Sequence, residues 1–302
     1  MNRLLKAEMI RLVNSFVFKL GMLFSGGLAV FIVGARWLDV RNNPEYYAAL
    51  EADYSSVDAI IFIGVLYLLF AFAVEVSVFI GTEYSDGTIR NKLIAGRSRT
   101  EIYFSEFFVC VAANLFMYLF YLVLMLALGG PMLGIVELNS WDIFKYALLD
   151  TAAVIAFTAL LTAVTIALPS KAAGAIVCLL MTLILLLSGI TISQNLSAPE
   201  YYDTYEYVDE ETGVVISSDT DSYVDEKTGE VIPLERKKNY HYVAGTKRKI
   251  YTVINDLSPV AQLFRVGVGD AKHLGRLAAY DGVLLLIVTG VGVILLERKN
   301  IK

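Results

Sequence analysis

The sequence predicts an all-α polytopic membrane protein with six transmembrane helices. Hydrophobic residues make up 57% of the 302 residues and the mean hydropathy is +0.61, whereas soluble domains contain about 45–50% apolar residues. A helix needs about 20 mostly apolar residues to cross the hydrocarbon core of a membrane. Six stretches approach this length, at residues 16–35, 59–80, 107–128, 146–168, 172–192 and 282–296.

Local signals define the ends of the first and third stretches. Lys19 interrupts the first stretch and no small-residue cleavage site follows it, so we expect a retained helix and not a signal peptide. Gly129, Gly130 and Pro131 predict a stop after the third stretch.

The residues before the first stretch alternate in a helical pattern. Leu5, Met9, Leu12 and Phe16 recur at helical spacing, and polar residues lie between them. The pattern predicts an N-terminal interfacial helix. The alternative is a frayed start of the first span.

The distribution of lysine and arginine over short loops predicts the orientation. One side of the membrane collects the basic residues Arg3, Lys6, Arg11, Arg90, Lys92, Arg97, Arg99, Lys171, Arg298, Lys299 and Lys302. The opposite short loops hold only Arg36, Arg41 and Lys145. Both termini are therefore expected in the cytoplasm, with the acidic loops outside. The net charge of -5 reflects those outer loops, and no basic stripe suited to nucleic acid is present.

Segment 81–106, after the second stretch, has the chemistry of a short helix followed by a helix start. Asp86 and Gly87 form a turn signal, and residues 88–94 combine charges with an apolar side. Ser98 and Glu101 have the spacing of a capping box. The alternative to a specific docking helix is an ordinary basic loop that touches lipid phosphates.

The order of residues in this segment resembles a known family. Glu-Tyr-Ser-Asp-Gly-Thr-Ile-Arg-Asn-Lys-Leu-Ile, followed by Ser-Arg-Thr-Glu-Ile-Tyr, is similar to the loop after the second span in permeases of the type-two ABC exporter family. The plan of six spans with the largest outer loop before the last one resembles that family as well. The resemblance implies that this segment is a cytoplasmic coupling helix seated in an ATPase subunit. The implied contacts are Glu83, Asp86, Gly87, Thr88, Arg90, Asn91, Lys92, Arg97, Arg99 and Glu101.

The same resemblance implies a transport function without an active site in this chain. No G-x-x-x-x-G-K-S/T phosphate loop is present, so ATP and Mg are expected on a separate ABC ATPase chain. We expect a second copy or a homologous permease as a further partner, and a bacterial plasma membrane as the location. Apolar spans with few internal charges favour an amphipathic, lipid-like or peptide cargo moved outward by alternating access, with ions and small drugs as open alternatives. The resemblance adds peptide antibiotics as one class of cargo. His241 and His273 lack metal-ligand spacing, and no catalytic or metal site is predicted.

The predicted extracellular insertion, residues 196–249, separates a first region, 1–195, from a last region, 250–302. It contains a repeat, residues 207–216 and 223–232, in which each copy predicts a small β-hairpin before the last helix. Two interpretations remain open, a solvated cap and a recognition surface for a cationic peptide. The second would suit a membrane sensor or immunity protein, the alternative function. Its candidate residues are Tyr207, Asp209, Glu210, Tyr223, Asp225 and Glu226.

Two further features concern the pathway through the membrane. The apolar residues around Ser258 and Pro259 are too few to span and predict a re-entrant pair of short helices. Glu75 and Asn114 are candidate pathway residues, because polar groups inside spans indicate function. Alternatively, Glu75 faces an inner vestibule or pairs with a base of segment 81–106.

Overall fold

The computed structural model describes residues 2–49, 55–136, 138–168, 170–201, 205–208, 215–218, 222–224, 231–233 and 238–299. Within these ranges, six helices are long and apolar enough to cross a membrane, which confirms the helical polytopic class. The chain forms two compact units. The first contains Met1–Gly189 and Asp256–Lys302, and the second contains Ile190–Asn255.

The long helices exceed the predicted spans at most of their ends. They are α2 (Phe16–Asn42), α4 (Val65–Ser85), α6 (Arg99–Leu124), α8 (Ser140–Ala167), α9 (Lys171–Ser197) and α12 (Leu274–Arg298). The short helices are α1 (Asn2–Asn14), α3 (Pro44–Ala49), α5 (Thr88–Ile94), α7 (Gly130–Leu133), α10 (Gly245–Leu257) and α11 (Pro259–Gly267). The extensions carry polar residues such as Arg99, Ser140 and Arg276, so hydropathy alone underestimates helix length.

Two predicted span boundaries are wrong. The apolar residues 59–64 form turns, and α4 begins only at Val65. The predicted stop after the third span is also wrong, because α6 continues through a π-helical turn, Met125–Gly129, into α7. Pro131 lies in the first turn of α7, directly after the π-helical turn, and does not end the helix there.

Helices α4, α6 and α8 form the centre of the first unit. Their largest buried side chains include Phe72 of α4, Tyr118 of α6 and Phe157 of α8. Helices α2, α9 and α12 expose large apolar side chains instead, such as Phe31, Ile184 and Leu286. Apolar side chains on the outer helices match a lipid environment, because hydrocarbon requires no polar covering.

The buried face of α1 differs from the predicted one. Leu4, Glu8 and Leu12 are buried, whereas Leu5 and Met9 of the predicted face are half-buried. Phe16, predicted on the same face, is exposed because Ser15 is extended and ends α1, so that Phe16 belongs to α2. The contact face of α1 toward α6 and α2 includes Glu8, which pairs with Lys92. Hydrophobic periodicity alone does not identify such a face.

The second unit contains two antiparallel strand pairs. Strand β1 (Tyr205–Val208) pairs with β2 (Val215–Ser218), and β3 (Ser222–Val224) pairs with β4 (Val231–Pro233). Tyr207 pairs with Ile216 and Tyr223 with Ile232, so the two sequence repeats share one register. Asp209, Glu210, Asp225 and Glu226 lie outside the described residues, and their role stays a prediction.

The capping box at the start of α6 gives a test of local stability. The Glu101 N–H donates to the Ser98 hydroxyl at 3.1 Å, and the Ser98 N–H donates to the Glu101 carboxylate at 3.4 Å. We expect Ser98→Ala to lower the free energy of unfolding by about 1 kcal/mol, the usual cost of losing an N-cap. Thermal or denaturant unfolding in mild detergent measures this change. Ser188→Ala is the control, because Ser188 lies exposed inside α9 and caps no helix. An equal effect of both variants would contradict the capping role.

Candidate functional site

Two glycines define helix α5. Gly87, with φ 69°, precedes the first residue of the helix, and Gly96, with φ 80°, follows its end. Both have the left-handed backbone conformation, which residues other than glycine rarely adopt. The N–H of Gly96 bonds to the Leu93 carbonyl at 3.0 Å, and the N–H of Arg97 bonds to the Lys92 carbonyl at 3.1 Å. This pair is a Schellman motif, which satisfies the last carbonyls of a helix. The backbone therefore fixes the length and direction of α5.

The two faces of α5 differ in exposure. Ile89 is buried, and Lys92 points toward the bundle with a side chain that is 9% exposed. Arg90 and Asn91 are exposed on the other face, next to the exposed Asp86, and Gly87 and Thr88 are half-buried. The predicted contact residues are thus divided between an outward face and an inward face.

The inward face centres on the amine of Lys92. Its Nζ lies 2.6 Å from Oε1 and 2.5 Å from Oε2 of Glu83, and 2.6 Å from Oε1 of Glu8. The carboxylate of Glu106 is 3.7 Å away. One ammonium group thus faces three carboxylates that come from α4, α1 and α6. We call Glu8, Arg11, Glu83, Lys92 and Glu106 the α5 cluster.

Arg11 is the second cation of the α5 cluster. Its guanidinium lies 3.1 Å from Glu8 and also pairs with Glu83. It lies over the ring of Phe79 at 3.8 Å from the centroid, a cation–π contact. Arg11 therefore connects α1 to α4 both by charge and by packing.

The residues at the border of segment 81–106 contact the ends of other helices. Arg99 donates from Nη1 to the carbonyls of Leu296, Glu297 and Lys299 at 2.8, 2.8 and 2.6 Å, at the C-terminal end of α12. A cation at this position satisfies the last carbonyls and opposes the negative end of the helix dipole. Arg97 is half-buried, and Glu101 belongs to the capping box. Arg99 therefore joins α6 to α12.

Lys299 makes the corresponding contact at the end of α8. Its Nζ donates to the carbonyls of Ile166 and Leu168 at 2.5 and 2.7 Å and lies 3.9 Å from the ring centroid of Tyr84. Burial lowers the pKa of the Lys299 amine. The ends of α4, α6, α8 and α12 thus meet at the same end of the first unit as α5, which we call the α5 end.

The two predicted pathway residues are buried in separate places. Both carboxylate oxygens of Glu75 lack a hydrogen-bond partner among the described residues. The Asn114 amide donates to the Thr158 hydroxyl at 2.9 Å and so joins α6 to α8. Neither side chain reaches the surface of the chain. Farther along α6, the Tyr118 hydroxyl donates to the buried carboxylate of Asp150 at 3.3 Å.

Sequence reasoning missed three residues of the α5 cluster. Glu8 and Arg11 are one turn apart on α1, and Glu106 lies inside α6 but one residue before the predicted stretch 107–128. A longer estimate of the third span would have shown Glu106 as a carboxyl group inside an apolar helix, which is uncommon. The pairing itself depends on tertiary contacts between four helices that no local pattern contains.

The fold and the α5 cluster define a class of protein, a polytopic membrane protein with a short helix held by buried charges at one end of its helical bundle. The family model described as "ABC-2 family transporter protein" matches residues 4–189, from α1 into α9. The chain belongs to this family, and it is therefore an ABC transporter permease. Comparison with curated proteins and with solved structures gave no match.

The α5 cluster generates a stability prediction. Lys92→Met removes the amine from Glu8, Glu83 and Glu106, which leaves Glu8 and Glu83 with only Arg11 and leaves the buried Glu106 without an ion pair among the described residues. We expect the free energy of unfolding to fall by about 3–5 kcal/mol, as for other buried ion pairs that lose one partner. Unfolding in mild detergent measures the loss.

The matched control for this prediction is Lys6→Met. Lys6 lies exposed on α1, outside the α5 cluster, and its replacement is expected to change stability little. A Lys92→Met protein as stable as the control would show that the cluster does not hold α5 in place.

Proposed function

We propose that this chain is the membrane-spanning permease subunit of an ATP-driven exporter that moves an amphipathic, lipid-like or peptide substrate outward by alternating access. The observation that carries the proposal is the division of α5 into an exposed polar face and a face held by buried charges. An exposed face can bind a soluble partner. A buried, ion-paired face can transmit the displacement of that partner into the bundle.

The proposed docking surface is the outward face of α5 and the turn before it. Asp86, Arg90 and Asn91 are exposed there, and Ile94 adds an exposed apolar side chain. Charged groups around an apolar contact are typical of non-obligate protein interfaces. We propose that a cytoplasmic ABC ATPase binds here, with ATP and Mg held on the ATPase. The family generally works with such a subunit, which supports this assignment.

The proposed route of transmission runs through Lys92. Displacement of α5 moves Lys92 and with it the carboxylates of α1, α4 and α6 that surround its amine. Arg99 extends the connection from α6 to α12. In this proposal Glu83 and Lys92 transmit force within the permease, while Arg90 and Asn91 contact the ATPase.

The orientation proposal follows from the α5 end. Both terminal regions lie there, since Glu8 contacts Lys92 and Arg99 contacts Lys299. The basic residues gathered at this end support a cytoplasmic location for both termini, in a bacterial plasma membrane. In this orientation α1 would lie near the inner interface and residues 196–249 outside, with the short helices α10 and α11 as the re-entrant element at the outer end.

The strand pairs of the second unit support an additional role outside the membrane. The repeated hairpins lie in a stretch rich in acidic residues, and their shared register makes them two copies of one structural element. Complementary charge favours a cationic peptide as the molecule recognised there. This feature supports a peptide substrate and also the alternative function, a membrane sensor or immunity protein. A second permease copy or a homologous permease would complete the transporter.

The docking proposal predicts the effect of Arg90→Glu. Reversal of this exposed charge is expected to weaken ATPase binding and to abolish ATP-driven transport, while the stability of the permease stays near that of the unmodified chain. Affinity purification from native membranes in mild detergent, followed by ATPase and transport assays in vesicles, measures both effects. The expected partner is a soluble subunit with a phosphate-loop motif.

Arg41→Glu is the matched control for Arg90→Glu. Arg41 is an exposed arginine in the last turn of α2 and lies outside the α5 cluster. The Arg41→Glu substitution should leave ATPase binding unchanged. Full transport by the Arg90→Glu protein would refute the docking surface. Absence of any ATPase under conditions that preserve permease dimers would support the sensor alternative.

A further inference from the structure

The carboxyl groups near α5 outnumber the cations. Glu8, Glu83 and Glu106 belong to the α5 cluster, and Glu75 lies farther along α4 toward its N-terminal end. The cations that act on these four groups are Arg11, Lys92 and Lys299, and the Lys299 amine is bound to the carbonyls of Ile166 and Leu168. All four carboxyl groups are almost completely buried. If all were ionised, the interior of the membrane subunit would carry uncompensated negative charge.

The cations are shared unequally among these carboxyl groups. Glu83 and Glu8 each pair with both Arg11 and Lys92. Glu106 has only the ammonium of Lys92 at 3.7 Å, and its two oxygens make no hydrogen bond among the described residues. Glu75 makes no ion pair and no hydrogen bond there, although it is only 1% exposed. The excess of negative charge therefore falls on Glu75 and Glu106.

Glu75 of α4 and Glu106 of α6 lie on helices that pack against each other. Cys110, one turn after Glu106, lies within electrostatic range of both carboxyl groups and also of Arg11 and Glu8. Glu75 precedes Glu83 by eight residues, which places it about 12 Å farther along the helix axis, at 1.5 Å per residue. The charged and titratable groups around Glu75 and Glu106 are Arg11 and Glu8 of α1, Glu83 and Tyr84 of α4, Lys92 of α5, Cys110 of α6 and Lys299 after α12. Helices α2, α8, α9 and α11, which also pack against α4, add no charge that acts on Glu75 among the described residues.

We propose that Glu75 and Glu106 each bind a proton inside the membrane, and that the position of α5 controls the occupancy of Glu106. An ionised carboxylate buried without a partner is strongly disfavoured, and it takes a proton from water to become neutral. The ammonium of Lys92 opposes this at Glu106, because it stabilises the ionised form. Movement of Lys92 away from Glu106 is therefore coupled to proton uptake, and its return to proton release.

The inference goes beyond the docking role of α5, because it assigns a ligand to the interior of the permease. It predicts that a transport cycle that displaces α5 also binds and releases a proton at Glu106. A bound metal cation, such as sodium, is the competing way to neutralise these carboxylates, and the experiment distinguishes the two.

Infrared difference spectroscopy on the purified full chain in lipid nanodiscs tests the proposal without an ATPase. A protonated carboxylic acid has a C=O stretch that a carboxylate lacks, and this stretch shifts in heavy water. We expect the unmodified chain to show such a buried band at neutral pH and to lose it as pH rises. Glu75→Gln should remove a large part of the band, because glutamine mimics the protonated side chain and cannot titrate. Glu106→Gln is the second variant, and Glu45→Gln, an exposed glutamate of α3, is the matched control that keeps the band.

The variant Lys92→Gln tests the coupling between Glu106 and the position of α5. Lys92→Gln removes the charge that favours ionised Glu106, so the band should persist to higher pH than in the unmodified chain. Identical titrations of the two proteins would overturn the coupling to α5. A band that is missing from the unmodified chain, or that disappears on addition of sodium at constant pH, would overturn the proton assignment. These results do not depend on whether an ATPase docks at Arg90.

Discussion

The amine of Lys92 is the interaction on which the architecture of the α5 end depends. It is buried, and it lies within 2.6 Å of carboxylate oxygens on both α1 and α4. An ammonium group in this position is stable only while its carboxylates are present, and the carboxylates are stable only with their cations. This mutual requirement fixes α1, α5 and α6 around the end of α4. It also explains why a helix as short as α5, which could not persist alone in water, has a defined place.

The remainder of the bundle makes such a charged centre possible. Helices α4, α6 and α8 are surrounded by α2, α9 and α12, whose outer apolar side chains can face lipid. Many polar groups of the central helices lie at inner contacts, where they bond to one another, as with Asn114 and Thr158. At the α5 end, Arg99 and Lys299 bind carbonyls at the ends of α12 and α8. These contacts connect the ends of helices that are far apart in sequence. In the proposed function, a displacement of α5 would therefore move these helix ends together.

Local signals in the sequence predict the helical membrane class and much of segment 81–106. Apolar length identifies the spans, and Ser98 with Glu101 identifies the start of α6, because both depend on neighbouring residues only. The π-helical turn at Met125–Gly129 and the turns at residues 59–64 are not predictable in this way, since the apolar pattern is the same in either conformation. Glu8 and Glu106 were missed for a different reason. Their partner Lys92 lies on another helix, and the pairing exists only after the bundle has assembled.

In the proposed function, the division of α5 into two faces separates two requirements that conflict in a single surface. A docking face must stay hydrated and exchange partners, which suits exposed side chains such as Arg90 and Asn91. A transmitting face must hold one arrangement against thermal motion, which suits buried ion pairs because breaking them is costly. Glu83 and Lys92 lie in the same segment as Arg90 but satisfy the second requirement, not the first. Residues that are adjacent in sequence can therefore carry different functions, and burial distinguishes them where residue type does not.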